Sequence, residues 1–145
     1  MSLDLELRAT RAEIAGAGDE LRAWAAGLSL PPALVHDLAL VLDEVLANLM
    51  MHGYRGDPGG WIGVHAEREG DAVRLEVRDR APTFDPRDAP QPDLTVPLDE
   101  RPVGGLGISL VRSLVDEMSY ARVGNENRLA LRLRPRPDVG PGQGR

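Results

Sequence analysis

Two short alternating runs constrain this chain more than any other feature. Ile62, Val64 and Ala66 take every second place in one, and Val73, Leu75 and Val77 do so in the other. A period of two belongs to a strand with one buried face. Gly70-Asp71 between the runs reads as a hairpin turn. Strands joined so tightly pair antiparallel, because a parallel pair needs a long crossover. The hairpin argues against a doubly wound parallel sheet.

The other segments build around that hairpin. Leu3, Leu5 and Leu7 alternate with Asp4, Glu6 and Arg8, a further strand pattern. Thr10 and Glu13 fit a capping box. The helix they open is expected through about Leu28, with Ile14, Leu21, Trp24 and Leu28 on its buried side. Pro31-Pro32 can open a second helix. In it Leu34, Leu38, Leu42, Val45 and Leu49 recur at steps of three and four, and Gly53 is a natural stop. From Arg80 to Val103 no pattern survives, and Pro82, Pro86, Pro90, Pro92, Pro97 and Pro102 crowd the stretch. A loop this long in a small domain is usually functional or disordered. Gly104-Gly105-Leu106-Gly107 ends it. A helix to about Glu117 follows, then two strands around 120–123 and 129–133. The order β-α-α-β-β-loop-α-β-β predicts an α+β fold. Its form is a two-layer α/β sandwich, with one mixed, mostly antiparallel sheet covered on one face by helices. One domain over 1–134 is expected, followed by a disordered Pro/Gly-rich tail at 135–145.

Composition narrows the chemistry. Hydrophobic residues make up 42% of the 145, enough for a core without staples. With no cysteine, thiolate nucleophiles, Fe–S clusters and disulfides are excluded. All 17 basic residues are arginine, so no P-loop can be complete and Schiff-base chemistry is excluded. The net charge of −6 speaks against direct nucleic-acid binding. No run of about 18 apolar residues marks a membrane span. Residues 1–10 carry charges among their leucines and do not resemble a signal peptide. A cytoplasmic protein is the default.

Three groups of residues could carry chemistry. Glu44, Asn48 and His52 are spaced four apart, along one face of the second helix at the edge of its apolar stripe. A solvated polar flank would look the same. Asp79 ends a strand and could accept from a ligand amine, or simply form a turn. Phe84, the only Phe, could be core or could anchor the following loop near a ligand. Gly104 to Ile108 could bring backbone amides to a phosphate at a helix N-terminus, or could be a flexible helix entry. His36, in Val35-His36-Asp37-Leu38, superficially resembles a phosphoacceptor. It shares a helix with Glu44, however, which suits an ordinary surface histidine.

Taken in order, these groups resemble the GHKL (Bergerat-type) ATP-binding family. The match is closest to bacterial anti-sigma factor serine kinases of the stress-response and sporulation type. The likeness is carried by Leu42-Asp43-Glu44 through Asn48 to His52-Gly53-Tyr54, by Val77-Arg78-Asp79-Arg80-Ala81, and by Val103-Gly104-Gly105-Leu106-Gly107-Ile108. It spans nearly the whole chain.

The resemblance implies roles residue by residue. Glu44 is the general base that takes the proton of an attacking Ser or Thr hydroxyl. Asn48 holds Mg²⁺ against the phosphates of ATP. Asp79 accepts from the adenine amine, with Ala81 and Phe84 beside the nucleotide. The segment 80–103 is the ATP lid. Gly104, Gly105, Leu106, Gly107 and Ile108 form the phosphate turn, and Arg101 or Arg112 could assist there. His52 holds a family position near the phosphates, and a structural role fits it equally. ATP or ADP is the nucleotide. The expected partners are a sigma factor and a STAS-type anti-anti-sigma protein, and homodimers are common in the family. One departure stands out: the family has Asp-x-Gly where this chain has Asp79-Arg80-Ala81. Alanine adds a methyl and disfavours positive φ, so if the site needs close approach of backbone to adenine, nucleotide binding would be weakened rather than abolished. A nucleotide-binding module that acts only by sequestering a partner is therefore the alternative to a kinase. An accessory ATPase or histidine-kinase catalytic domain is a third reading, against which the lack of a phosphoacceptor segment argues.

Overall fold

A computed structural model describes residues 2–82 and 105–136. The elements are β1 (Ser2–Arg8), α1 (Arg11–Ala26), α2 (Pro32–Asn48), a π-helical turn (Leu49–Gly53), β2 (Trp61–Glu69), β3 (Ala72–Asp79), α3 (Gly105–Leu114), β4 (Glu117–Val123) and β5 (Glu126–Leu133). The strands form one sheet in the order β1-β2-β3-β5-β4. The expected two-layer α+β sandwich is present, and every ladder in it is antiparallel. β3 and β4 run in the same direction, but β5 inserts between them and prevents a parallel pair.

Local chemistry explains the elements. Thr10 Oγ1 accepts the Glu13 N–H at 3.2 Å and caps α1. Glu13 reaches back to the N–H of Arg8, at 2.8 Å, instead of that of Thr10. Pro31 and Pro32 sit at the N-cap and first turn of α2, where a missing N–H costs nothing. The spacing read from Leu34 to Leu49 is a buried stripe, with none of the five residues more than 3% exposed. It packs on Leu7, Ile62, Val64, Leu75, Val77 and Leu131 from the sheet. The opposite sheet face carries charge. There Trp61 donates to Glu6 and lies under the guanidinium of Arg80 at 4.3 Å.

Two boundaries differ from expectation in ways that bear on the site. α2 stops at Asn48 and continues to Gly53 as a π-turn, closed by Tyr54 N–H on Leu49 C=O at 2.8 Å. α3 ends at Leu114, and Glu117 already belongs to β4. Most of the expected lid, with Phe84, Arg101 and Gly104, lies outside the described residues, as does the tail from 137.

Candidate functional site

The site begins at Asp79, the last residue of β3, paired in register with Asn127 of β5. Both are buried, at 6% and 2% exposure. Asp79 Oδ1 accepts from Ala81 N–H at 2.9 Å and from Asn127 Nδ2 at 2.8 Å. Asn127 Nδ2 also faces the carbonyls of Ala81 and Pro82, at 3.1 and 3.3 Å. Asn127 Oδ1 accepts from Arg122 Nη1 at 3.1 Å and from the Tyr120 hydroxyl. Burial pushes the Asp79 carboxyl up in pKa, opposed by the bonds from Asn127 and Ala81 and the charge of Arg122.

Below Asp79 lies an apolar cleft. Val77 and Leu129 line it from the sheet, Val45 and Leu49 from the helical layer, and Tyr120 and Asn127 close it with Asp79. Apolar walls with a carboxylate at one end offer packing to an apolar group and an acceptor to an amine. Ala81 joins the core at 1% exposure. Among the described non-glycine residues only Ser29 and Arg55 have positive φ. Ala81 therefore does not enter the left-handed region, and its methyl stands in the buried core.

Glu44 and Asn48 lie one turn apart on α2, on either side of cleft residue Val45 in sequence. Asn48 is 1% exposed, and neither side-chain atom has a hydrogen-bond partner. A buried polar group left unsatisfied costs about 1–3 kcal/mol. Such a carboxamide is suited to a ligand that completes it. Glu44 is half-buried, and its pKa is raised by burial first and by the Asp43 charge second.

His52 is exposed on the π-turn, and like Glu44 and Asn48 it stands outside the lining of the apolar cleft. The three residues thus do not share one environment at the core's edge. Asn48 is drawn fully inward, and the wider winding of the π-turn takes His52 off the line of the α-helical face. π-Turns within helices are frequent at functional sites.

Gly105, Leu106, Gly107 and Ile108 make the first turn of α3. Its leading N–H groups have no intrahelical partner and carry the positive end of the helix dipole. Arg112 sits in the last turn, at the other end of this helix from those amides. Among the described residues no group of three or more His, Asp or Glu could hold a metal. A divalent ion bound mainly by phosphate and water, with one protein oxygen, is the kind that Asn48 fits.

Asn127, Tyr120 and Arg122 went unread in the sequence. The signal for Asn127 is a polar residue in the inward register of Leu129, Leu131 and Leu133.

A helical layer on one face of an antiparallel sheet, with this cleft at its end, is the architecture of the family that the chain matches. The chain belongs to the family of histidine kinase-like ATPase domains, whose family model matches residues 7–133. It is 32% identical over 106 residues to the serine/threonine-protein kinase BtrW of Bordetella bronchiseptica, covering 70% of this chain and 71% of that protein. It is 29% identical over 89 residues to the serine-protein kinase RsbW of Bacillus subtilis, 58% of this chain and 55% of the relative. With the anti-sigma F factor of Anoxybacillus flavithermus it shares 26% over 88 residues, 60% of each chain. Two solved structures show the same fold. The RsbU and RsbW domains of a Mycobacterium tuberculosis protein give a TM-score of 0.66 at 23% identity, over 92% of this chain and 32% of that one. The SiaB–SiaC complex of Pseudomonas aeruginosa gives 0.61 at 14%, over 90% of this chain and 87% of that one.

Proposed function

We propose that this protein is an ATP-dependent protein serine/threonine kinase and an anti-sigma factor. It binds a sigma factor and phosphorylates a STAS-type anti-anti-sigma protein. The observation that carries the reading is the Glu44–Asn48 pair on α2, a half-buried carboxylate with a raised pKa one turn from a buried, unpartnered carboxamide.

The adenine ring occupies the slot under Asp79 and donates its amine to that carboxylate. The triphosphate runs toward the leading amides of α3 and Asn48. Asn48 would hold Mg²⁺ at this place, where the ion would offset the charge of the phosphates. Glu44 takes the proton of the substrate hydroxyl as its oxygen attacks the γ-phosphorus. The bond to the β–γ bridging oxygen breaks, and ADP leaves. The new phosphate adds about −1.5 to −2 charges to the anti-anti-sigma protein, enough to change which complex is favoured.

No helix among the described residues is long and apolar enough to cross a membrane, and the cytoplasm, where sigma factors act, is the place of work in this reading. The domain extends over residues 1–134, and light scattering would read whether it pairs as homodimers. The test is transfer from γ-labelled ATP to a STAS-domain protein of the same organism, with Mg²⁺. Phosphoserine or phosphothreonine on that protein is expected. A protein that binds ATP but labels no such partner would favour the sequestering module instead.

A further inference from the structure

The polar network behind Asp79 does more than satisfy a buried carboxylate. Asn127 Nδ2 holds Asp79 Oδ1 at 2.8 Å. The same oxygen takes the Ala81 N–H at 2.9 Å, so both described bonds of the carboxylate fall on Oδ1. A carboxylate with two donors on one oxygen keeps its other oxygen, Oδ2, as an acceptor. Asn127 is itself locked against reversal. Turning its amide over would aim Nδ2 at the Arg122 guanidinium, 3.1 Å from Oδ1, and Oδ1 at a carboxylate and two carbonyls. Arg122 also donates to Ala81 C=O at 2.8 Å, so the β4–β5 hairpin pins the chain just beyond β3.

We infer that Asn127, oriented by Arg122 and Tyr120, is the positioning residue that sets base selectivity. It fixes Asp79 as an acceptor-only group facing the cleft, so that a 6-amino purine is accepted and a 6-oxo purine is rejected. An amine at position 6 donates to the free oxygen. A carbonyl there would set acceptor against acceptor and leave a buried carboxylate unpaired, the kind of mismatch that discriminates strongly. The inference rests on the adenine-nucleotide reading above.

Asn127→Asp replaces the donor with a second carboxyl 2.8 Å from the first. Two carboxylates this close share a proton, and either can then become a donor. The titratable groups around the pair are Arg122 and Tyr120 from β4, Glu126 from β5 and Tyr54 beyond the π-turn. From the helical layer Val45 and Leu49 are apolar.

Calorimetric titration with ATP and with ITP, which differ at purine position 6, tests this on the full chain. Wild type is expected to prefer ATP. In Asn127→Asp the preference should fall by about tenfold or more. Its ATP affinity should also drop as pH rises from about 5.5 to about 8, as the shared proton leaves. Wild type should show no such drop, because Asp79 accepts best when ionised. A merely structural role for Asn127 would lower both affinities together and leave their ratio unchanged. Should Asn127→Asp fail to fold by circular dichroism, Arg122→Ala at the exposed end of the network carries the test, with a reduced ATP/ITP ratio in the folded variant. An unchanged ratio in the folded variant overturns the inference, as does a wild type that binds ATP and ITP alike. A wild type that binds no ATP overturns the adenine-nucleotide reading itself.

Discussion

At the scale of single residues, the site sets burial against function. Asp79 and Glu44 are both shifted up in pKa chiefly by burial, so folding favours their protonated forms. Their contribution to stability is fully present below the ordinary carboxylate range and is lost as pH rises through the raised folded values. Asp79→Asn keeps an oxygen for Ala81 N–H and Asn127 Nδ2 but presents an amide donor to the cleft. We expect this variant to be as stable as wild type or more so near neutral pH. Its advantage should grow as pH rises from about 4 and level off above the raised pKa of Asp79. It should bind ATP poorly, and melting curves across pH beside ATP titrations would check both halves. Glu44→Gln separates chemistry from binding: phosphotransfer should fall about 10²- to 10⁴-fold with ATP affinity little changed. Equal single-turnover rates for wild type and variant would remove Glu44 as the base.

At the scale of elements, legibility followed periodicity. The α2 stripe, the Gly70-Asp71 hairpin and the Thr10 cap are each set by residues a few positions apart, and all three are in the fold. The π-turn is different. Nothing in Leu49-Met50-Met51-His52-Gly53 marks a switch from α to π winding, so the spacing from Asn48 to His52 reads as α-helical although His52 lies on a π-turn. Asn127 meets Asp79 only across two strands far apart in sequence, and no local spacing records that pairing. Tyr54 ties these elements together: its hydroxyl donates to Trp61 C=O and accepts from Arg80 N–H at 2.8 Å. Its ring fills the space that a side chain at position 60 would need, for a Cβ on Gly60 would lie 2.5 Å from the ring. Gly60→Ala should therefore cost about 1–3 kcal/mol by overpacking, read by urea denaturation. A neutral result would mean that Tyr54 is free to move and does not pin the end of β3.

At the scale of the whole molecule, one sheet face is given to a core and the other to charge. The apolar cleft lies at the end of the sheet where β3, β5 and the π-turn meet. The fold follows from the chain order and the inward register, and the family from its resemblance at Glu44–Asn48, Asp79 and Gly104–Ile108, all legible before any coordinate. The orientation of the acceptor was not, because it depends on contacts between distant segments. The central claim, that this cleft binds ATP for phosphotransfer, is tested most directly by calorimetric titration with ATP, with and without Mg²⁺. Binding should be tighter with Mg²⁺ and lost in Asp79→Asn. At a hundredfold excess over Kd it should stabilise the fold by about 2.7 kcal/mol. No heat at millimolar ATP, with no rise in melting temperature, would contradict the account.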